Sequence, residues 1–119
     1  MKIVYASRGG NTESLVEKCG YSEPLKIETG EEEVTEDYVL FTYTDGYGDI
    51  PSEVESFLDK NDDSYLKGVV CTGDTSFGDA FCGAGDKIAE DKSVTLIAKV
   101  EQDGSDEDVE KIKEGIDKL

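Results

Sequence analysis

The stretch Lys2-Ile3-Val4-Tyr5-Ala6-Ser7-Arg8-Gly9-Gly10-Asn11-Thr12-Glu13-Ser14-Leu15-Val16 decides the fold. Its first five residues form a short apolar run without helical spacing, the pattern of a strand buried on both faces. Two glycines then permit a tight turn, and the polar group before Leu15 opens a helix. A strand, a glycine turn and a helix make the first half of a crossover unit, which predicts a parallel sheet.

The alternation continues to the end of the chain. Tyr38–Tyr43, Gly68–Cys71 and Val94–Val100 are further runs rich in Val, Ile, Leu and aromatics, bounded by turn-forming residues. Pro24–Glu28 is a weaker, alternating run that suits an edge strand. Helical patterns occupy Asn11–Lys18, Ser52–Lys60, Asp79–Asp91 and Asp106–Leu119, the last with Val109, Ile112, Ile116 and Leu119 along one stripe. The prediction is a doubly wound α/β sheet of five parallel strands with helices on both faces. Asn61-Asp62-Asp63-Ser64 reads as a turn, and Glu31-Glu32-Glu33 as a solvated loop. No repeat or linker breaks residues 1–119, so one domain is expected across them.

The 119 residues include 12 basic and 29 acidic side chains, a net charge of −17. At this mass folding buries roughly two thirds of the extended surface, enough for one core. Phosphate backbones are held by basic surface, so the acidic excess argues against a nucleic-acid partner; it equally disfavours anionic lipid. No run approaches the roughly 20 apolar residues that cross a bilayer, and the first residues lack the apolar stretch of an export signal. Cys19, Cys71 and Cys82 cannot all pair and show no CxxC spacing, which suits reduced thiols and a cytoplasmic location. Cys71 is expected to pack at a strand end, Cys82 within the third long helix, and Cys19 at a helix end. Histidine is absent, which removes Ser-His-Asp and Cys-His catalysis.

In a doubly wound sheet, ligands collect beyond the carboxyl ends of the strands. The loop after the first strand, Ser7-Arg8-Gly9-Gly10-Asn11-Thr12, combines glycines and hydroxyls at a helix N-terminus. It fits a phosphate site or an ordinary turn with an Asn or Thr cap. It is neither a Walker loop nor a dinucleotide fingerprint. A thiol phosphatase would need a cysteine here, and a receiver domain clustered aspartates; neither is present. Thr44-Asp45-Gly46-Tyr47-Gly48 follows the third strand, and Thr72-Gly73-Asp74-Thr75-Ser76-Phe77-Gly78 the fourth. Each sets glycines around one aromatic, so a planar ring could be gripped between them; alternatively Tyr47 and Phe77 merely cover the core. One tail-holding loop and two ring-holding loops describe an FMN site.

Over essentially its whole length the chain resembles the NrdI family, flavodoxin-like FMN proteins that serve class Ib ribonucleotide reductases. Ser7-Arg8-Gly9-Gly10-Asn11-Thr12 resembles the family's S-x-T-G-N loop, with Gly9 where the family has Thr. Thr42-Tyr43-Thr44-Asp45-Gly46-Tyr47-Gly48 with Ile50-Pro51 resembles T-Y-T-x-x-F-G-x-V-P. Gly73-Asp74-Thr75-Ser76-Phe77-Gly78 stands at G-N-x-x-W/F-G, with Asp74 in place of Asn. The resemblance implies strand order 2-1-3-4-5 and FMN as cofactor. It also implies a dimanganese reductase small subunit as partner, served with reducing equivalents or superoxide made from O₂ and fed by an unidentified reductant. On this reading the peptide on either side of Gly46 reorients to meet flavin N5 upon reduction, and nearby acids disfavour an anionic ring, by about 2 kcal/mol per charge at ~8 Å and an effective dielectric of ~20. The alternatives are a flavodoxin-type carrier for another acceptor and a cofactor-free acidic interaction domain.

Overall fold

The computed structural model describes residues 1–119 throughout. Strand β1 (Lys2–Tyr5) leads through the glycine turn into α1 (Asn11–Cys19), followed by the two-residue strand β2 (Leu25–Lys26) and by β3 (Tyr38–Tyr43). Then come α2 (Ser52–Lys60), β4 (Leu66–Gly73), α3 (Gly83–Lys92), β5 (Thr95–Glu101) and α4 (Asp106–Asp117). All strand pairs are parallel, as the sequence predicts, and follow the order β2-β1-β3-β4-β5 that the resemblance implies.

Period-two alternation sorts the strand residues between two cores. Ile3, Tyr5, Val39 and Phe41 face Leu15, Val16, Ile112 and Ile116 of α1 and α4. Val4, Ala6, Tyr38 and Leu40 face Val54, Phe57 and Leu58 of α2 and Ile88 of α3. Both faces are therefore covered, and the ligand-accessible edge lies at the strands' carboxyl ends.

Several local expectations give way. The third long helix begins at Gly83; residues Thr75–Ala80 form 3₁₀ turns broken at Gly78, whose φ of 59° and ψ of −121° interrupt the helical path. Cys82 consequently precedes α3, in a left-handed conformation (φ 53°), instead of lying inside it. The residue before α1 is Gly10, with no side-chain cap, so neither Asn nor Thr caps the helix. Strand β4 is longer than its apolar kernel, because Thr72 and Gly73 continue the pairing with β5. The triple glutamate is only partly solvated. Glu32 turns in and accepts the N–H groups of Glu28, Thr29 and Gly30 at 2.8–3.1 Å. Burial works against its charged form, but these donors prevail and pull its pKa down to about 2.

Two strand ends share one device. The Tyr5 hydroxyl donates to Glu13 in the first turn of α1 at 3.0 Å, and the Tyr43 hydroxyl donates to Glu53 in the first turn of α2 at 2.6 Å. Each tie anchors a strand end to the helix that follows the loop.

Candidate functional site

The three glycine loops converge on a cleft of about 290 Å³ at the carboxyl edge. Of the residues singled out from sequence, Arg8, Asn11, Thr44, Gly46, Thr72, Gly73, Asp74 and Phe77 line it. The others stand behind or beside it.

The first loop is open. Gly9 and Gly10 hold φ values of 77° and 94°, and a Cβ at either would meet nothing within 4 Å. Ser7 Oγ accepts the Glu13 N–H at 3.2 Å, so it serves the third amide of α1. The N–H groups of Arg8, Gly9, Gly10, Asn11 and Thr12 find no acceptor within the chain. Unpaired amides around a helix N-terminus form a cradle for an anion. Thr12 itself is buried, 1% exposed, and its hydroxyl bonds to Thr72 at 2.9 Å, which fixes the loop's base to β4.

The second loop is a closed turn. Asp45 and Asp49 exchange backbone hydrogen bonds at 2.9 and 2.7 Å around Gly46-Tyr47-Gly48. Gly48 lies against the start of α3: a Cβ on Gly83 would come within 2.6 Å of the Gly48 Cα. Thr44 Oγ1 donates to the Thr72 carbonyl at 3.2 Å, joining the ends of β3 and β4.

The third loop is also satisfied from within. Asp74 Oδ1 accepts the Ser76 N–H at 2.9 Å, which keeps its carboxyl below the usual aspartate range. Thr75 Oγ1 donates to Glu101 at 2.6 Å. Tyr47 (79% exposed) and Phe77 (41%) meet edge to face, centroids 5.2 Å apart. A flat ring stacked between two others needs about 7 Å, twice the ~3.5 Å contact distance, so these rings must part, or one must leave, before a tricycle sits between them.

The cleft also takes in residues that sequence reading passed over: Tyr43, Ala80, Phe81, Cys82 and Gln102. Gln102 follows β5, so extending the strand-end rule to a fourth loop would have found it. Cys82 and Gln102 share left-handed φ values of 53° and 54°, backbone strain of the kind that gathers at functional sites. The Cys82 thiol donates to the Cys71 carbonyl at 3.3 Å; the neighbouring Cys71 thiol and then burial push its pKa well up. It is a packed, protonated thiol.

Open amides for an anionic tail and two aromatic-tipped turns for a ring fit a flavin mononucleotide. A family profile described as NrdI flavodoxin-like matches residues 3–114. Protein NrdI of Bacillus licheniformis is 34% identical over all of this chain and 89% of its own length. Among solved structures, a short-chain flavodoxin associated with a non-canonical PDU bacterial microcompartment superposes with a TM-score of 0.71, at 24% identity, over 98% of this chain and 95% of the other. A flavodoxin of Streptococcus pneumonia TIGR4 gives 0.67 at 27% identity, covering 99% and 95%.

Proposed function

The chain belongs to the NrdI flavodoxin-like family, and from that premise we propose that it binds FMN in this cleft. We propose further that it serves the dimanganese small subunit of a class Ib ribonucleotide reductase, to which it supplies reducing equivalents or superoxide. Bound FMN would supply the redox chemistry, including the reaction with O₂; the protein orients the ring and tunes it.

The observation that carries the reading is the run of unpartnered amides from Arg8 to Thr12. In a chain of charge −17, neutral N–H dipoles and the α1 N-terminus can hold a phosphate in a loop that carries no lysine. Asn11 reaches the same cleft. Thr44, Thr72 and Gly73 form the floor, with Tyr47 and Phe77 offering ring faces. Gly46, at φ 48°, has only Asp49 Oδ2 near its side-chain position, at 3.4 Å; the Asp45 carbonyl is held by the Asp49 N–H at 2.7 Å, so the Gly46–Tyr47 peptide, which makes no hydrogen bond within the chain, is the one free to reorient toward a ring nitrogen. The free thiols Cys19, Cys71 and Cys82 suit a reducing cytoplasm.

An absorption spectrum after mixing the purified protein with FMN tests the first claim: a shifted flavin band that survives desalting is expected, and free flavin alone would overturn it. Oxygen uptake by the reduced protein, with and without a manganese-loaded small subunit, tests the second. Radical assembly in the subunit is expected only when both are present. Efficient reduction of other acceptors with no radical assembly would favour a flavodoxin-type carrier.

A further inference from the structure

Arg8 is the only arginine in the chain, and it stands in the loop whose amides await an anion. The geometry directs its side chain elsewhere. Nη1 and Nη2 donate to the two carboxylate oxygens of Asp45 at 3.0 and 3.3 Å. The guanidinium carbon lies 4.9 Å from the centre of the Tyr43 ring. A planar fork matched to a carboxylate and stacked on an aromatic face uses what distinguishes arginine from lysine. Meanwhile the backbone amides of its own loop stay open.

Resting on the FMN reading, we propose that the Arg8 side chain is a positioning residue for the ring-holding turn and not a ligand of the cofactor's phosphate. It pins and neutralises Asp45, so that one guanidinium ties the tail loop to the ring loop and fixes the charge beside the ring.

Asp45 opens the turn that contains Gly46, and its backbone closes that turn on Asp49. Its carboxyl is held below the usual aspartate range by the hydrogen bond from Arg8. No other cation pairs with Asp45; Lys87 is engaged with Asp49, at 3.4 Å. If the guanidinium left for a phosphate, Asp45 would face the ring uncompensated. Exposed ion pairs contribute little to folding, and Arg8 is 62% exposed, so the consequence belongs to the site and not to stability.

The test titrates flavin-free wild type, Arg8→Gln, Asp45→Asn and the double variant with FMN and with riboflavin, then measures the second reduction step of the FMN-loaded proteins. The FMN-to-riboflavin affinity ratio should stay within fivefold of wild type in Arg8→Gln. That variant should make the second reduction at least threefold less favourable, and Asp45→Asn should make it more favourable. The double variant should return to wild type, and Arg8→Lys, which keeps the charge without the fork, should recover most of the shift. A ratio that falls more than fivefold in Arg8→Gln marks Arg8 as a phosphate ligand and overturns the proposal; so does an unmoved reduction step. Wild type that binds neither flavin would bring down the FMN reading as a whole, an outcome distinct from both.

Discussion

The tail loop and the ring loops lie on one edge of one sheet, yet they are built on opposite principles. Around Arg8–Thr12 the backbone is left open: five amides lack acceptors and the space beside Gly9 and Gly10 is empty. Around Asp45–Asp49 and Asp74–Gly78 the bonds are already made, by the Asp45–Asp49 exchange, the Asp74 cap and the Tyr47–Phe77 contact. An anion can enter the first site without breaking anything. A ring entering the second must replace contacts that exist, so affinity should come mainly from the tail, and adjustment mainly from the ring turns.

Gly83→Val attacks this division most strongly. The new side chain would meet Gly48 backbone atoms at 2.6 and 3.0 Å, and backbone cannot swing aside. We predict a loss of about 2–3 kcal/mol in unfolding free energy, read by denaturant titration. FMN and riboflavin affinity should fall together; loss confined to FMN would break the division. Gly10→Val comes next. Nothing obstructs the side chain, but a φ of 94° costs a β-branched residue about 2 kcal/mol, a roughly 30-fold loss of FMN affinity by calorimetry. Riboflavin binding should not change; an equal loss would deny the amides their role.

The two tyrosine ties sharpen the comparison, since one underlies each kind of loop. Tyr5→Phe and Tyr43→Phe should each cost about 1 kcal/mol at pH 7. Burial first, then the glutamate partner, raises both phenols to about 12 from an ordinary 10. A raised acid favours the protonated folded state, so this stabilisation is complete below pH 10 and lost as pH climbs from 10 to 12. Each variant should flatten the alkaline fall in stability over that window; an unchanged slope would show that the ties carry no linkage. The smallest effect belongs to Phe77→Leu, which removes an exposed edge-to-face contact of about 0.5 kcal/mol. If the rings guard the ring site, stopped-flow fluorescence should show riboflavin associating about twofold faster.

Sequence reading reached the parallel strands and the three loops because both rest on local signals, apolar runs and glycines at strand ends, while the strand order came with the family resemblance. It missed what distant residues do together. Arg8 and Asp45 are separated by 37 positions, and nothing in either neighbourhood announces the pairing. Tyr43 read as the end of a buried strand, although it lines the cleft and one face of its ring carries the Arg8 guanidinium. Cys82 read as helical because Phe81, Ala84 and Ile88 keep helical spacing, whereas tertiary packing delays the helix to Gly83. Glu32 looked like one of three solvated acids until its loop supplied amide donors.

The bare contact between Gly48 and Gly83 has a practical consequence. The ring turn rests on the opening of α3 with no side chain to cushion it, so a shift of the turn should be felt by the amides just beyond, Gly85 and Asp86, both bonded to the Cys82 carbonyl at 3.0 and 3.3 Å. Deuterium uptake at those two positions would then register events at the cleft that leave no trace in colour, including the arrival of a partner.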